Sequence, residues 1–568
     1  VTAPTRATAD VSIDVTEMKW WGWGPEGEGF TIADKPELAP FIRGALGLDL
    51  ARVSDPPPRF ESLVVPAPRL PAGLRAALVA AVGEPYVSTG DHDRVVHARG
   101  KSIRDLMLQR RGELPRVPDA VVRPAEETEI TELLAVALAH DAVLIPFGGG
   151  SSISGSLEPA AAERRPVISL DLTRLDRVLE LDAQSGLARV QAGVFGPALE
   201  AQLRERGWTL GHYPDSFTHS TLGGWIATRS SGMQSDRYGD IADVAKGLRV
   251  VTPAGTLVVK PIPAMSNGPS LREMILGSEG RLGVITEATV QVRRLPEERV
   301  ILGYLFPSFT AGLAAMREIA QSEHAVSVSR VADAAETAFS FAMRTPPSVV
   351  DRAGFLALRT YLSRRRGWNL AEMCLGFIGH EGSHRHVAAQ RHAVGRILAG
   401  HGGVGIGTGP GALYDRKKFD TPYIRDFLLD RGAAGDVSET AAPWSRLGEL
   451  HIAVTAAAND AFAAAGVTGY LMCHLSHSYL SGACLYFTFA FRSDPGGDML
   501  VEYDIVKRAI QQAFVDHGAT LSHHHAVGTE HAPWLAQDVS APGVAMLTAL
   551  FDGIDPGGHL NPGKITGP

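Results

Sequence analysis

Only three cysteines occur in the 568 residues, Cys374, Cys473 and Cys484. Their number and irregular spacing argue against a disulfide framework and a structural zinc site, and a reducing compartment is the expectation. No apolar run approaches the roughly 20 residues that a membrane-spanning helix requires, so no bilayer span is expected. Positive charge is not in excess. The net charge of −8 argues against a nucleic-acid partner, while leaving room for a local basic pocket. There is no internal repeat or low-complexity block. Residues 1–10 lack the apolar stretch and cleavage site of a signal peptide; they read as a disordered lead-in, and the cytoplasm is the default location.

What is present is an ordinary globular composition, 45% hydrophobic and 20% charged, long enough for two or three domains. Residues 1–110 read as a largely helical N-terminal extension, with a Trp- and Gly-rich opening at 18–24, prolines at 56–58 and a helix over 70–82. The clustered tryptophans read as packing anchors. Residues 111–297 open β-α-β: a strand from 121, an amphipathic helix over 126–140 and a strand over 143–146. Strands at 167–170, 178–181, 188–192, 248–252, 257–259 and 284–292 follow, with helices at 195–206 and 271–276, an α+β pattern. Residues 298–535 resume the alternation with strands at 304–306, 371–379 and 483–491 and helices at 309–321, 386–400, 447–465 and 499–517. The last segment, 536–568, ends in a proline- and glycine-dense stretch from Asp555 that reads as an extended tail over 544–568.

The most informative stretch is Pro146-Phe147-Gly148-Gly149-Gly150-Ser151-Ser152, directly after the apolar run 142–145. Glycine tolerates positive φ and carries no Cβ, so a run of amides can converge on one anion. The loop lacks the Gly-Lys-Ser ending of a P-loop and the spacing of a dinucleotide fingerprint. Three more glycine- and hydroxyl-rich segments follow. The first carries Asp215, Ser216, Ser220, Thr221, Gly223 and Gly224; the second Thr228 and Ser231; the third Glu279, Gly280, Gly283, Val284 and Ile285. Four such segments point to one elongated, phosphate-containing cofactor, with these residues as its contacts.

His523-His524-His525 lies between a helix ending near 517 and a turn at Gly528. In a strand, His523 and His525 would face one way and His524 the other. A polar turn, a metal site and acid/base chemistry are the three readings. Adjacent imidazoles rarely converge on one tetrahedral ion, and no neighbouring carboxylate or cysteine set is found to complete a site, so no metal is expected. An imidazole near its ordinary pKa does pass protons at neutral pH. Tyr486 sits on the alternating strand 483–491, where a tyrosine is ordinarily a packing residue.

In their order, the four glycine-rich segments resemble the FAD-binding domain of the vanillyl-alcohol oxidase/p-cresol methylhydroxylase flavoproteins. Within that superfamily nearly the whole chain is similar to the alkyldihydroxyacetonephosphate (alkylglycerone-phosphate) synthases. The specific motifs are the opening at 18–24, Tyr423-Ile-Arg-Asp426, Glu439-Thr-Ala-Ala-Pro-Trp444, Gly482-Ala-Cys-Leu-Tyr486 and Leu521-Ser-His-His-His525. The resemblance implies an α+β architecture, a two-subdomain FAD-binding domain plus an α/β cap, or substrate, domain. It implies non-covalent FAD, since Ser151 and Ser152 stand where many members carry a tethering histidine.

The implied reaction exchanges the acyl group of acyl-dihydroxyacetone phosphate for a long-chain fatty alcohol, with the flavin as a non-redox covalent handle. Tyr486 and His523, His524 and His525 would move protons, Arg425 would bind the substrate phosphate, and Arg330, a second substrate-site arginine, would face the flavin or help order the site. A guanidinium fork grips phosphate at two points; the bland reading of Arg425 is a salt bridge to a carboxylate such as Glu439. Lipid substrates imply peripheral contact with the inner membrane surface, and a homodimer is expected. The competing reading is an FAD-dependent oxidase or dehydrogenase of a 2-hydroxy acid or other alcohol. Such relatives carry a metal-binding His-x-Gly-Asp-Gly-Asn-x-His segment, whereas Tyr479-Leu-Ser-Gly-Ala-Cys-Leu-Tyr486 puts tyrosines there. Thr529-Glu530-His531 replaces the basic residues expected after the histidine turn, which predicts altered anion recognition.

Overall fold

The computed structural model describes residues 15–345, 349–494 and 496–567; the lead-in expected over 1–10 lies outside them. The β-α-β opening forms around a four-stranded sheet ordered Val87–Ser88, Ala120–Val122, Val167–Asp171, Val143–Phe147. Its last three strands are parallel. Ile130, Leu133 and Ala137 of helix Glu127–Ala139 close over Leu144, Ile168 and Leu170, as the buried faces of parallel strands require. The chain then builds a five-stranded antiparallel sheet ordered Val178–Asp182, Leu187–Gln191, Val284–Gln291, Ala245–Thr252, Gly255–Val259. Helices Gly196–Arg204 and Leu222–Thr228 bury Leu199, Leu203, Trp225 and Ile226 in its core. These two sheets are the halves of the region expected to hold the flavin, the flavin domain.

A seven-stranded, wholly antiparallel sheet forms the second domain. Its order is Val404–Gly407, Glu298–Phe306, Cys374–Gly382, Val328–Ala332, Thr468–Ser478, Gly482–Arg492, Ala433–Pro443. Strand Gly482–Arg492 shows how the sequence pattern places the site. Leu485, Phe487, Phe489 and Phe491 are in the core with Leu450, Val454, Val506 and Ile510 of helices Leu447–Ala465 and Met499–Asp516. Tyr486, Thr488 and Ala490, one residue out of phase, line a cavity on the opposite face.

Several elements escaped the sequence reading. Strand Ala433–Pro443 reads Ala-Ala-Gly-Asp-Val-Ser-Glu-Thr-Ala-Ala-Pro, with too few large apolar residues for a strand signal; it is a strand because it pairs along its whole length with Gly482–Arg492. Strands Val328–Ala332 and Thr468–Ser478 and helices Ala334–Ala342 and Tyr423–Leu429 were equally unannounced. The region expected to be extended from 544 is helical to Ile554: the stretch Leu535–Ile554 is two helices broken at Ser540, and it packs Leu535 and Phe551 into the flavin-domain core. Beyond it the chain is irregular, and Leu560 bridges to Leu144 beside strand Val143–Phe147. No helix among the described residues is long and apolar enough to cross a membrane.

The N-terminal residues wrap both domains. Trp20 packs with Val95, Phe147 and Phe195, and Trp23 enters the core of the second domain, as packing anchors do. Helix Leu38–Leu46 buries Leu38, Ile42 and Leu46 against Leu428 and Ala433. His97 is fully buried, 3.2 Å from Asp171 and 3.3 Å from Asp93, with its ring against Phe147. Burial alone would lower its pKa, but the hydrogen bonds to Asp171 and Asp93 raise it to about 9. A raised folded-state pKa stabilises fully below the unfolded value and is lost as pH climbs through the folded one. His97→Gln should therefore cost about 3 kcal/mol at pH 6 and much less at pH 10. Chemical denaturation of both proteins at the two pH values checks this; an equal gap at both would remove the charged imidazole from the account.

Candidate active site

A cavity of about 490 Å³ runs from the glycine loop, past Tyr486, to helix Leu38–Leu46. At its flavin-domain end, the amides of Gly148, Gly149, Gly150, Ser151 and Ser152 find no hydrogen-bond partner among the described residues. Five consecutive free N–H groups on a cavity wall form an anion-binding nest. The glycines are sterically required: a Cβ on Gly148 would strike the Thr221 hydroxyl, and one on Gly149 the His219 carbonyl. Gly150 sits at φ +67°, where side chains are strained. Gly149→Ala should therefore leave a protein with native far-UV circular dichroism but little bound flavin, read from the ratio of flavin to protein absorbance.

Of the expected cofactor contacts, Pro146 through Ser152, Asp215, Ser216, Ser220, Thr221, Gly223, Gly224, Thr228, Glu279, Gly280, Gly283 and Ile285 all line this cavity. Two do not. Val284 points into the core beneath the parallel sheet, because strand alternation turns it away from its neighbours Gly283 and Ile285. Ser231 lines a small side cavity beside Tyr486 and His477. The buried Glu279 carboxylate accepts hydrogen bonds from Ser156 and the amides of Val527 and Gly528, tying the flavin domain to the histidine segment. Asn561, which the tail reading passed over, also lines the cavity and donates to the carbonyls of Ser156 and Glu279.

The histidine triplet is not a strand. The segment 522–525 folds around the buried Glu439 carboxylate, which accepts from the amides of His523 (2.8 Å), His524 (3.0 Å) and His525 (3.0 Å) and from the Ser522 hydroxyl (2.7 Å). The alternation expected of an extended chain therefore gives way to a turn, and His524 and His525 both line the cavity. Burial would raise the Glu439 pKa, but the facing imidazoles in their protonated form and the His524 amide hold it well below the usual carboxylate range. Burial pushes the His524 pKa well down and that of His525 to about 4, so both rings are neutral at neutral pH.

Tyr486 stands opposite Glu439 across paired strands, between the rings of His474 (4.9 Å) and His524 (6.0 Å), with His525 edge-on at 5.6 Å. Burial, then the Asp215 carboxylate, push its hydroxyl pKa well up, so it is protonated. Arg425, on helix Tyr423–Leu429, also lines the cavity. Its carboxylate partner is Asp436 at 3.2 Å and not Glu439, which the histidine turn has already occupied. Lys507 approaches the same Asp436 at 3.5 Å, so this one carboxylate faces two cations. Arg330 lines the cavity as well, donating to Glu336 at 2.7 Å beside His474. Glu530, the acidic departure, does not line the cavity: it is half-buried near Asp105 and Tyr503, and desolvation, then the Asp105 carboxylate, raises its pKa to about 8.

One expectation is overturned by the strand register. The triplet seemed to lack a neighbouring cysteine, yet His477 and Cys484, opposite each other on paired strands, lie beside His523 and His524. Nothing local in the sequence signals that approach.

The fold and the cleft together define an FAD-linked flavoprotein of the p-cresol methylhydroxylase type. Residues 118–259 match the family described as FAD binding domain, and residues 295–565 the C-terminal domain of FAD linked oxidases. The free-amide nest and the glycine-lined wall fit that cofactor. The chain is 36% identical over 571 residues to the alkyldihydroxyacetonephosphate synthase of Dictyostelium discoideum, covering 97% of this chain and 93% of that protein. A solved alkyldihydroxyacetonephosphate synthase superposes with a TM-score of 0.83 at 34% identity, over 97% of this chain and 99% of its own. The chain belongs to the alkyldihydroxyacetonephosphate synthase family. The structure of p-cresol methylhydroxylase, at TM-score 0.61 and 15% identity over 88% of this chain and 98% of that one, shares the fold alone.

Proposed function

We propose that this chain exchanges the acyl group of acyl-dihydroxyacetone phosphate for a long-chain fatty alcohol, yielding alkyl-dihydroxyacetone phosphate and a fatty acid. One observation carries the reading: a single cavity joins the glycine-loop nest, the Tyr486 and histidine cluster, Arg425, and an apolar arm. Leu38, Ile42 and Leu46 face Phe339, Met343 and Leu428 along that arm, a lining suited to an alkyl chain. Bound FAD, untethered beside Ser151 and Ser152, supplies a nucleophilic ring nitrogen, and the exchange leaves no net redox change.

The protein's own groups do the rest. Arg425, supported by Lys507, holds the phosphate; Arg330 orders the wall around Glu336 and His474. Tyr486 donates and retrieves a proton, the neutral imidazole of His525 edge-on to its ring receives it, and His524 and His523 order the turn behind them. The domain limits that go with this reading are 1–110, 111–297, 298–535 and 536–568. Peripheral membrane contact is part of it because both substrates partition into lipid; a homodimer rests on the family resemblance.

The test is anaerobic incubation of the yellow protein with acyl-dihydroxyacetone phosphate and labelled hexadecanol. Label in an ether product without lasting flavin bleaching is the expected result. Bleaching by D-lactate or another 2-hydroxy acid, with no ether formed, would sink the transferase reading in favour of a dehydrogenase.

A further inference from the structure

We propose that His477, Cys484, His523 and His524 form a binding site for a thiophilic divalent cation of the zinc type. The four side chains come from three places. A register shift between Leu475 and His477 re-aims the end of strand Thr468–Ser478 and sets His477 opposite Cys484 on strand Gly482–Arg492. The turn around Glu439 delivers His523 and His524 from the other side. One ligand atom from each residue then lies within 4.8 Å of all the others. A tetrahedral zinc ion with ordinary Zn–N and Zn–S distances needs ligand atoms roughly 3.3–3.6 Å apart. For an ion to seat, the widest pair closes by about 1.2 Å and the His523–His524 pair, now at 2.9 Å, opens.

The hydrogen bonds around the cluster already orient the rings as ligands. His477 Nε2 donates to the Gly232 carbonyl at 3.0 Å, leaving Nδ1 free to turn from the Ser476 hydroxyl to an ion. The Tyr479 hydroxyl donates to Asp240 at 2.6 Å and accepts from His523 Nε2 at 2.5 Å, leaving the His523 Nδ1 lone pair facing inward. His523 Nδ1 and His524 Nδ1 confront each other at 2.9 Å, an arrangement that needs a shared proton or a shared cation. Outer partners that fix the tautomer of a ligating imidazole are the second half of a metal site. Three imidazoles and one thiol select a borderline or soft ion over magnesium or calcium. On binding, the Cys484 thiol releases its proton to solvent and the thiolate becomes the fourth ligand.

The holoenzyme, first treated with chelator and desalted, can be titrated with Co²⁺ alone. Intense visible bands of tetrahedral cobalt, to the red of the flavin spectrum, should saturate at one ion per chain, and Zn²⁺ should erase them. Cys484→Ser and His477→Gln, each checked for retained FAD and native circular dichroism, should each weaken binding by about tenfold or more. The inference is overturned if the folded holoenzyme gives no saturable tetrahedral band, or if both variants titrate like the parent. These readouts do not depend on turnover, so they stand apart from the fate of the transfer reaction.

Discussion

Replacing Tyr486 by Phe is expected to lower turnover by about 10²–10⁴-fold, with FAD content and stability close to those of the parent. Tyr486 is the one phenol stacked between His474 and His524 on the cavity wall, and its ring contacts survive the change. Only the hydroxyl is lost. With its pKa pushed well up by burial and Asp215, the phenol is protonated throughout the neutral range, and nearby His525, with a pKa of about 4, is unprotonated throughout it. A loss confined to kcat, measured by ether-product formation at saturating substrate, is the signature of a group used in the chemical step. Near-normal turnover in Tyr486→Phe would return the residue to packing and leave the histidines to act unaided.

Glu439→Ala is expected to have the largest effect on folding as well as on activity. The carboxylate collects three consecutive backbone amides and the Ser522 hydroxyl, and its removal leaves those donors buried without acceptors. At about 1–3 kcal/mol for each unsatisfied group, with partial relaxation of the turn, the loss should be about 3–5 kcal/mol. Glu439→Gln keeps one oxygen and should lose less. Both should displace His524 and His525 from Tyr486, so turnover should fall further than residual folding explains. The depressed carboxyl pKa sets the sign of the pH dependence: the stabilisation is present above the ordinary value of 4.5 and is lost only as pH falls through the lowered one. The parent and the alanine variant should therefore converge in stability in strong acid. Denaturant unfolding at pH 7 and pH 3, alongside turnover at pH 7, tests both parts; an alanine variant with parental turnover would show that the turn is not the scaffold of the proton-transfer groups.

The helices over 127–139, 309–320, 447–465 and 499–516 were legible in the sequence almost to the residue, because each carries its own apolar stripe. Strand Ala433–Pro443 was not, although it supplies both Asp436 and Glu439. Its polar residues are buried because partners arrive from elsewhere: Arg425 and Lys507 for one carboxylate, the histidine turn for the other. Local composition argued against a strand there, and tertiary pairing overrode it. Val284 failed in the opposite direction: a motif assigned it to the cofactor, and strand alternation put it in the core.

By itself the sequence determined the run of bare glycines after an apolar strand and the alternation that sets Tyr486 out of phase with the phenylalanines of its strand. Bare glycines and period-two alternation act within a few residues, so their consequences can be read without a fold. Only the tertiary structure decided what surrounds that tyrosine. Glu439 meets the His523 amide across 84 residues of chain, and Ser329 meets Ser478 across 149. Contacts at such separations leave no periodic trace, because they are set by strand register and domain packing and not by any local preference of the residues that make them.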